Sequence, residues 1–170
     1  MTTGSAQAPR APELLRLAEL LRYPEGSFKR KPEDSADVAQ FLDEMGHLPL
    51  EGVEEIYTWT FDLNPVATQE VGWHLWGEQY ERGRFLADLR ATQAELGIVA
   101  VTELPDHLTI LLETLARVAD PAPLFVKIGP ALVKISAALE EQGNPYRHLI
   151  RGVMALGPVP SEPLPGGDCA

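Results

Sequence analysis

The sequence is poor in cysteine. Cys169 is the single cysteine among 170 residues, so the chain lacks the clustered thiols of a disulfide framework or a structural zinc site. The first ten residues lack a basic start followed by an apolar run, and no stretch reaches the roughly 18 apolar residues of a membrane span. We therefore predict a cytoplasmic protein with no membrane insertion.

Signatures of catalysis and of cofactor binding are also missing. There is no G-x-S-x-G elbow for a nucleophile and no glycine-rich loop of the kind that cradles phosphate. The four histidines do not fall at spacings that put two metal ligands on one helical face. The histidines are His47, His74, His107 and His148. The sequence thus predicts no catalytic residue, no metal and no cofactor.

Positive charge is scarce, because 14 Lys and Arg residues stand against 25 Asp and Glu residues, for a formal net charge of -11. Such a chain repels phosphate backbones, which argues against nucleic acid as a partner. A basic partner would be favoured. The acidic balance is equally consistent with a role in solubility alone.

Proline and glycine punctuate helical patterns throughout, whereas no segment shows the sustained alternation of a strand. We predict an all-α, single-domain bundle of about seven to eight helices. The first helix is expected to begin after Pro12, and the second is expected to follow a cap at Asp34 or Ser35 and to end at Gly46. A third, from about Pro49 to Leu63, is apolar on more than one side and is expected to be central to the bundle.

Further breaks divide the rest of the chain. Asn64 and Pro65 predict a cap and the first residue of a fourth helix. At Gly77, either the fourth helix ends or another backbone or a ligand comes close. Breaks are also expected at Gly97, at residues 120–123, at residues 129–130 and at residues 143–145, and a last helix is expected to reach Leu156. The helical domain is therefore assigned to residues 1–156. Residues 157–170 contain four prolines and three glycines, which predicts a disordered tail.

Aromatic residues concentrate between positions 57 and 107, where the sequence places seven of its twelve. Tryptophan and tyrosine combine a large apolar area with a polar group, so they suit a core or a binding groove equally well. The seven are Tyr57, Trp59, Phe61, Trp73, Trp76, Tyr80 and Phe85. We look for the functional surface in this stretch.

The run 103–107 (Glu-Leu-Pro-Asp-His) closes that stretch and has two interpretations. Pro105 at the start of a helix would make Glu103 and Asp106 ordinary first-turn acids that favour the positive end of the helix dipole. Alternatively, the two carboxylates can hold a guanidinium through parallel hydrogen bonds. His74, between Trp73 and Leu75, is interpreted as a partly buried histidine satisfied by a neighbour.

Three runs together resemble a known family. Residues 57–65 (YTWTFDLNP), residues 74–78 (HLWGE) and residues 103–116 (ELPDHLTILLETLA) are similar to the NarJ branch of the TorD/DmsD redox-enzyme maturation chaperones. The likeness covers roughly residues 57–118, with weaker agreement at residues 20–24. The resemblance implies a TorD-like, all-helical, cytoplasmic protein that is not an enzyme, a type sometimes labelled a nitrate reductase delta subunit.

The resemblance also implies a partner and a site. Members of the family bind the N-terminal leader or N-terminal region of the catalytic subunit of a molybdenum enzyme of the dimethyl sulfoxide reductase superfamily. They hold it until the molybdenum cofactor is inserted, which in exported systems also delays twin-arginine translocation. The implied peptide-binding residues are Glu103, Pro105, Asp106, His107, Tyr57, Trp73 and Trp76.

The identity of the client stays open at this point. Thr109 stands where nitrate-reductase chaperones tend to have proline, and Thr114 replaces an expected aromatic residue. These departures leave room for a related client, such as an enzyme acting on chlorate, perchlorate, selenate, dimethyl sulfide or ethylbenzene. The alternative function is a permanent structural subunit of an oxidoreductase complex.

Overall fold

The computed structural model describes residues 10–158 and shows eight α-helices there. They are α1 (Arg10–Leu21), α2 (Ala36–Met45), α3 (Leu50–Tyr57), α4 (Val71–Trp76), α5 (Tyr80–Glu95), α6 (Leu108–Arg117), α7 (Ala122–Glu141) and α8 (Arg147–Leu156). Within the described range the extended backbone is limited to one isolated antiparallel bridge, between Glu70 and His107. The predicted all-α fold is confirmed.

Helix α1 lies at the centre of the bundle and packs against α6 and α8. Its buried residues are Leu14, Leu17, Ala18, Leu20 and Leu21. Four of them, Leu14, Leu17, Ala18 and Leu21, recur at the i, i+3, i+4, i+7 spacing that places side chains on one face of a helix. The burial of five side chains in twelve positions explains why the first helix, rather than the third, organises the core.

The second helix begins and ends where the sequence predicts. Ser35 is the N-cap, and its hydroxyl accepts a hydrogen bond from the Val38 N–H at 3.4 Å. Gly46 is the C-cap, with its own N–H bonded to the Leu42 carbonyl. Cap residues act through local backbone geometry, so the sequence alone suffices to place them.

The third helix differs from its prediction. Its α-helical part ends at Tyr57 and continues as a π-helical turn, Thr58–Asp62, in which the Leu63 N–H reaches the Thr58 carbonyl at 3.0 Å. The Thr60 hydroxyl donates to the Ile56 carbonyl at 2.6 Å and so provides that carbonyl with a partner. Tyr57 and Phe61 face the core, but Trp59 is 64% exposed and Leu63 61% exposed. The prediction of a central helix, buried on several sides, is wrong.

The predicted helix start at Pro65 is also wrong, because residues 64–70 form turns and α4 begins at Val71. Hydrogen bonds to residues distant in the sequence hold this segment in a non-helical conformation. The side-chain amide of Gln69 donates to the Leu21 carbonyl at 2.8 Å, and the backbone carbonyl of Gln69 accepts from the Leu108 N–H at 2.8 Å. Helix α4 ends at Trp76, and Gly77 is its C-cap with a φ of 57°, so of the two alternatives at this glycine the structure shows the helix end.

Helix α7 runs unbroken through Gly129 and Pro130, contrary to the predicted break. A proline inside a helix removes the hydrogen bond to the carbonyl four residues earlier, here that of Val126. Both Pro130 and Val126 are on the exposed side, so water can replace the lost bond, while Ile128 and Leu132 are buried on the other side. The free energy gained by burying that side of the helix outweighs the cost of the hydrogen bond lost at the proline.

Helix α7 is also, among residues 10–158, the one helix long and apolar enough to cross a membrane by length and composition. Of the 18-residue apolar stretch in this helix, 33% is buried inside the bundle. A single helix of this kind is weak evidence for a span, because core helices pass the same test. The absence of membrane insertion therefore stays a prediction.

The end of the described chain agrees with the predicted end of the last helix, at Leu156. Gly157 caps this helix, its N–H bonding the Met154 carbonyl at 3.2 Å. The predicted tail, 157–170, lies outside the described residues from position 159 onward, and Cys169 lies there too.

Candidate functional site

The run 103–107 lies in a turn before α6, not in the first turn of that helix. Helix α6 begins at Leu108, and the His107 N–H closes a turn onto the Leu104 carbonyl at 3.0 Å. The interpretation of Glu103 and Asp106 as first-turn acids therefore does not hold. Residues 106–108 instead pair with residues 69–71: the Val71 N–H donates to the Asp106 carbonyl at 3.0 Å.

Asp106 points into the protein and is 0% exposed. Its Oδ2 accepts a hydrogen bond from the Gly72 N–H at 3.0 Å and pairs with Arg82 Nη2 at 3.3 Å. Gly72 is in the first turn of α4, so Asp106 satisfies a helix N–H that has no partner within the helix. The expectation that Asp106 offers its carboxylate to a partner at the surface is wrong for this conformation. Pro105, also buried, contributes its carbonyl to the Gln93 amide at 2.9 Å.

Helices α4 and α5 meet at this buried carboxylate. Arg82, from α5, pairs with Glu70 at 3.0 Å as well as with Asp106, and its guanidinium lies 6.0 Å from the centre of the Trp73 ring. A methyl group at Gly72 would come within 2.6 Å of Asp106 Oδ2, so the two segments approach closely only because residue 72 is glycine. We call Gly72, Arg82 and Asp106 the buried junction.

The predicted aromatic residues divide between core and surface. Tyr57 is 6% exposed, its ring packs on Tyr23 and Phe61, and its hydroxyl accepts from the Gln69 amide at 3.2 Å. Trp76 is partly buried against Phe85, with ring centres 5.1 Å apart. Trp73 is 39% exposed. The expectation that Tyr57 lines a groove is therefore wrong, whereas Trp73 is available for contact.

Several acidic and aromatic side chains converge on the outer side of Tyr57. We call Tyr23, Glu54, Asp62, Glu103 and His107 the acidic cluster. Glu103 Oε2 lies 3.7 Å from His107 Nε2. Burial raises the pKa of Tyr23, and the negative charges of Glu54 and Asp62 raise it further.

The remaining electrostatics of the cluster agree with this arrangement. Burial raises the pKa of Tyr57, and the carboxylates of Asp62 and Glu103 raise it further, since a phenolate would repel them. Burial lowers the pKa of His107, although Glu103 and Asp106 favour its charged form. The Glu103 side chain is 51% exposed and Tyr23 is 49% exposed, so the cluster presents negative charge and a phenol ring at the surface. Such a surface can bind a cationic side chain.

Two glutamines that hold the segments of the site together were not predicted from the sequence. Gln69 and Gln93 are 2% and 3% exposed, and each donates a side-chain hydrogen bond to the backbone of a distant segment. Gln69 joins the end of α1 to Tyr57, and Gln93 holds the Pro105 carbonyl and the Thr114 hydroxyl. Since their partners are remote in sequence, no local pattern could have identified them.

Histidine 74 is confirmed as a satisfied structural residue, with Nε2 2.7 Å from the Thr68 carbonyl. Trp73, adjacent in sequence, is the exposed neighbour. Within residues 10–158, no three side chains of His, Asp or Glu come together in a way that could hold a metal ion.

The negative charge of the chain is concentrated in one stretch. Residues 32–81 contain no Lys or Arg. Their acids are Glu33, Asp34, Asp37, Asp43, Glu44, Glu51, Glu54, Glu55, Asp62, Glu70, Glu78 and Glu81. The outer side of α3 and two residues of the acidic cluster, Glu54 and Asp62, lie in this stretch, so negative charge is concentrated there.

The all-helical fold and the charged surface lie in a chain similar to assembly chaperones. The chain is 27% identical to the nitrate reductase molybdenum cofactor assembly chaperone NarJ of Escherichia coli strain K12, over 162 residues that cover 85% of this chain and 69% of that protein. The NarJ of Escherichia coli O157:H7 gives the same values. No family profile matches the chain.

A third relative extends the comparison to another organism. The probable nitrate reductase molybdenum cofactor assembly chaperone NarJ of Bacillus subtilis strain 168 is 26% identical over 155 residues, covering 82% of this chain and 84% of that protein. These names support a chaperone role, and the relatives are named as assembly chaperones rather than as enzymes. The predicted resemblance to the NarJ branch is confirmed.

Proposed function

We propose that this protein is a cytoplasmic chaperone that holds the N-terminal region of a molybdenum enzyme's catalytic subunit while the molybdenum cofactor is inserted. The proposal is supported by the relatives, which are named for molybdenum cofactor assembly of nitrate reductase. The observation that carries it is the acidic cluster, in which Glu54 and Asp62 act on Tyr23, Asp62 and Glu103 act on Tyr57, and the two tyrosine rings lie 5.3 Å apart between their centres. The client is a nitrate reductase or a related molybdenum enzyme.

The acidic cluster suits a basic segment. Lysine or arginine side chains of the client would pair with Glu54, Asp62 and Glu103, and their aliphatic parts would pack on Tyr23. Trp73, which is 39% exposed, offers further apolar area. In this arrangement Asp106 acts indirectly, because it fixes the turn that carries Glu103 and His107.

Co-purification tests the role. The full chain, tagged and isolated from its source cell, is expected to capture the catalytic subunit in its cofactor-free form and to be absent from the purified active enzyme. Mass spectrometry identifies the captured protein, and metal analysis gives its molybdenum content. A chain present in equal amount with the other subunits of the active enzyme would instead establish the alternative, a permanent structural subunit.

Charge-neutralising variants test the site. Glu54→Gln, Asp62→Asn and Glu103→Gln together should weaken binding of the client's N-terminal region by about 2 kcal/mol, since an exposed ion pair contributes roughly 0.2–1 kcal/mol. The matched control replaces Glu81, Asp88 and Glu95, exposed acids in or near α5, in the same way. Both variants change the net charge equally, so titration calorimetry separates a local site from the general field. Equal weakening would remove the acidic cluster from the site.

A further inference from the structure

We propose that the outward side of α3 and its π-helical turn is a second docking surface, which receives an amphipathic helix carrying Lys or Arg side chains. We call Trp59, Leu63 and Val66 the outer face. The inference rests on the proposed function only for the identity of the partner, a further segment of the same client. It concerns residues outside the acidic cluster and outside the run 103–107.

The outer face consists of three large, exposed apolar side chains that lie close together in the sequence. Trp59 is 64%, Leu63 61% and Val66 56% exposed, although the three lie within eight positions of the chain. Contiguous exposed apolar residues mark interaction sites, and tryptophan is the residue type that most often dominates binding energy there. Single exposed apolar residues would need no explanation, but three neighbours do.

The fold holds these side chains outward. Tyr57 and Phe61 are anchored in the core, and the Thr60 hydroxyl accepts a hydrogen bond from Asn144 Nδ2 at 2.7 Å. With the inner side of the turn fixed in this way, Trp59 and Leu63 cannot rotate inward without breaking core contacts. The outer face is therefore preorganised, which lowers the entropic cost of binding.

Charge identifies the partner. Glu51, Glu55, Trp59 and Leu63 follow one another at intervals of four, so two exposed acids precede two exposed apolar residues along one side of the helix. An amphipathic helix with basic residues at one end of its apolar stripe matches this order. A second copy of this chain would bring the same negative charge, and like charges facing each other oppose association.

Tryptophan fluorescence tests this surface directly. The probe is a synthetic Leu/Lys amphipathic helix of about 14 residues, roughly four turns. With Trp73→Phe and Trp76→Phe, Trp59 is the remaining indole, and its emission should shift to the blue as the probe removes it from water. The difference between wild type and Trp59→Phe gives the same readout if the double variant fails to fold.

Affinity measurements supply the matched control. Trp59→Ala with Leu63→Ser should weaken probe binding by about tenfold or more. Val126→Ala with Val133→Ser changes side chains of similar exposure, 67% and 55%, on α7, and should alter affinity by less than about twofold. A peptide with Glu in place of Lys should not bind, and binding of the Lys peptide should weaken as salt screens the acids.

Unchanged emission of Trp59 at saturating probe would overturn the inference, and so would equal weakening of probe binding by the two pairs of variants. Self-association at increasing concentration that Trp59→Ala with Leu63→Ser abolishes would overturn it as well. The last would assign the outer face to a second copy. Undiminished capture of the client by that variant would also overturn the inference while leaving the proposed function intact, because the acidic cluster would then suffice.

Discussion

The buried junction and the outer face come from the same aromatic and acidic stretch, yet they place those residue types in opposite environments. In the buried junction, Asp106 is 0% exposed and bonded to Gly72 and Arg82. In the outer face, Trp59 is 64% exposed. A carboxylate that looked like a ligand holds the fold together, and an indole that looked like core is available to a partner. Whether such a side chain stabilises the fold or is free to bind a partner depends on whether tertiary contacts turn it toward the core or toward solvent.

The largest predicted effect is at Asp106. Asp106→Ala would leave the Gly72 N–H without its acceptor and Arg82 without its buried partner, which should lower the free energy of unfolding by about 3 kcal/mol. Urea unfolding followed by circular dichroism measures it. Glu103→Ala, three residues away but exposed, should change stability by less than about 0.5 kcal/mol. A stable Asp106→Ala protein with lost client affinity would return Asp106 to the binding site.

The close approach within the buried junction gives the next effect. Gly72→Ala would place a methyl group 2.6 Å from Asp106 Oδ2 and 3.2 Å from Arg82 Cγ, and should destabilise the fold by about 2 kcal/mol. Gly52→Ala is the matched control in α3, where the added methyl group would meet ordinary contacts at 3.7 Å or more. It should be neutral or stabilise by up to about 1 kcal/mol, because alanine favours helix. Similar unfolding curves for the two variants would contradict the packing of this junction.

Elements set by local chemistry could be predicted from the sequence. The cap at Ser35, the stop at Gly46 and the restart after Pro145 all depend on neighbours within a few residues. Elements set by distant contacts could not. Pro65 does not begin a helix because Gln69 is bound by Leu21, and Pro130 does not end one because its helix buries the opposite side.

The candidate site shows the same division. The resemblance names the run 103–107 and Trp73, but the burial of Asp106 could not be predicted, because an acid between proline and histidine carries no sign of burial. Tyr23 and Glu54 were missed, because Tyr23 meets Tyr57 and Glu54 only in the folded chain. The resemblance names a region of the chain but does not decide which of its side chains face outward.

A smaller effect concerns pH and the segment that leads into α4. Burial lowers the pKa of His74 below its ordinary 6.5, against the hydrogen bond to the Thr68 carbonyl that favours the charged ring. The unfolded chain then binds more protons than the folded one, so stability is full above about pH 6.5 and declines as pH falls through the lower folded value. His74→Gln, which keeps a donor for Thr68, should flatten this decline.

Unfolding at a series of pH values between about 7.5 and 5 measures the slope for wild type and variant. His47→Gln, at an exposed histidine, controls for the loss of a titrating side chain. An unchanged slope in His74→Gln together with a reduced one in His107→Gln would assign the pH dependence to the acidic cluster, because burial lowers the pKa of His107 in the same direction.

The smallest predicted effect on stability is at the outer face. Trp59→Ser removes a side chain that is 64% exposed, so the free energy of unfolding should change by less than about 0.5 kcal/mol. Phe61→Ala, two residues on but 5% exposed and packed on Tyr57, should cost about 3 kcal/mol or more. The pair of variants tests whether the π-helical turn has the orientation described. If Trp59→Ser were as destabilising as Phe61→Ala, the indole would be part of the core, and the outer face would lose the residue on which its binding role depends.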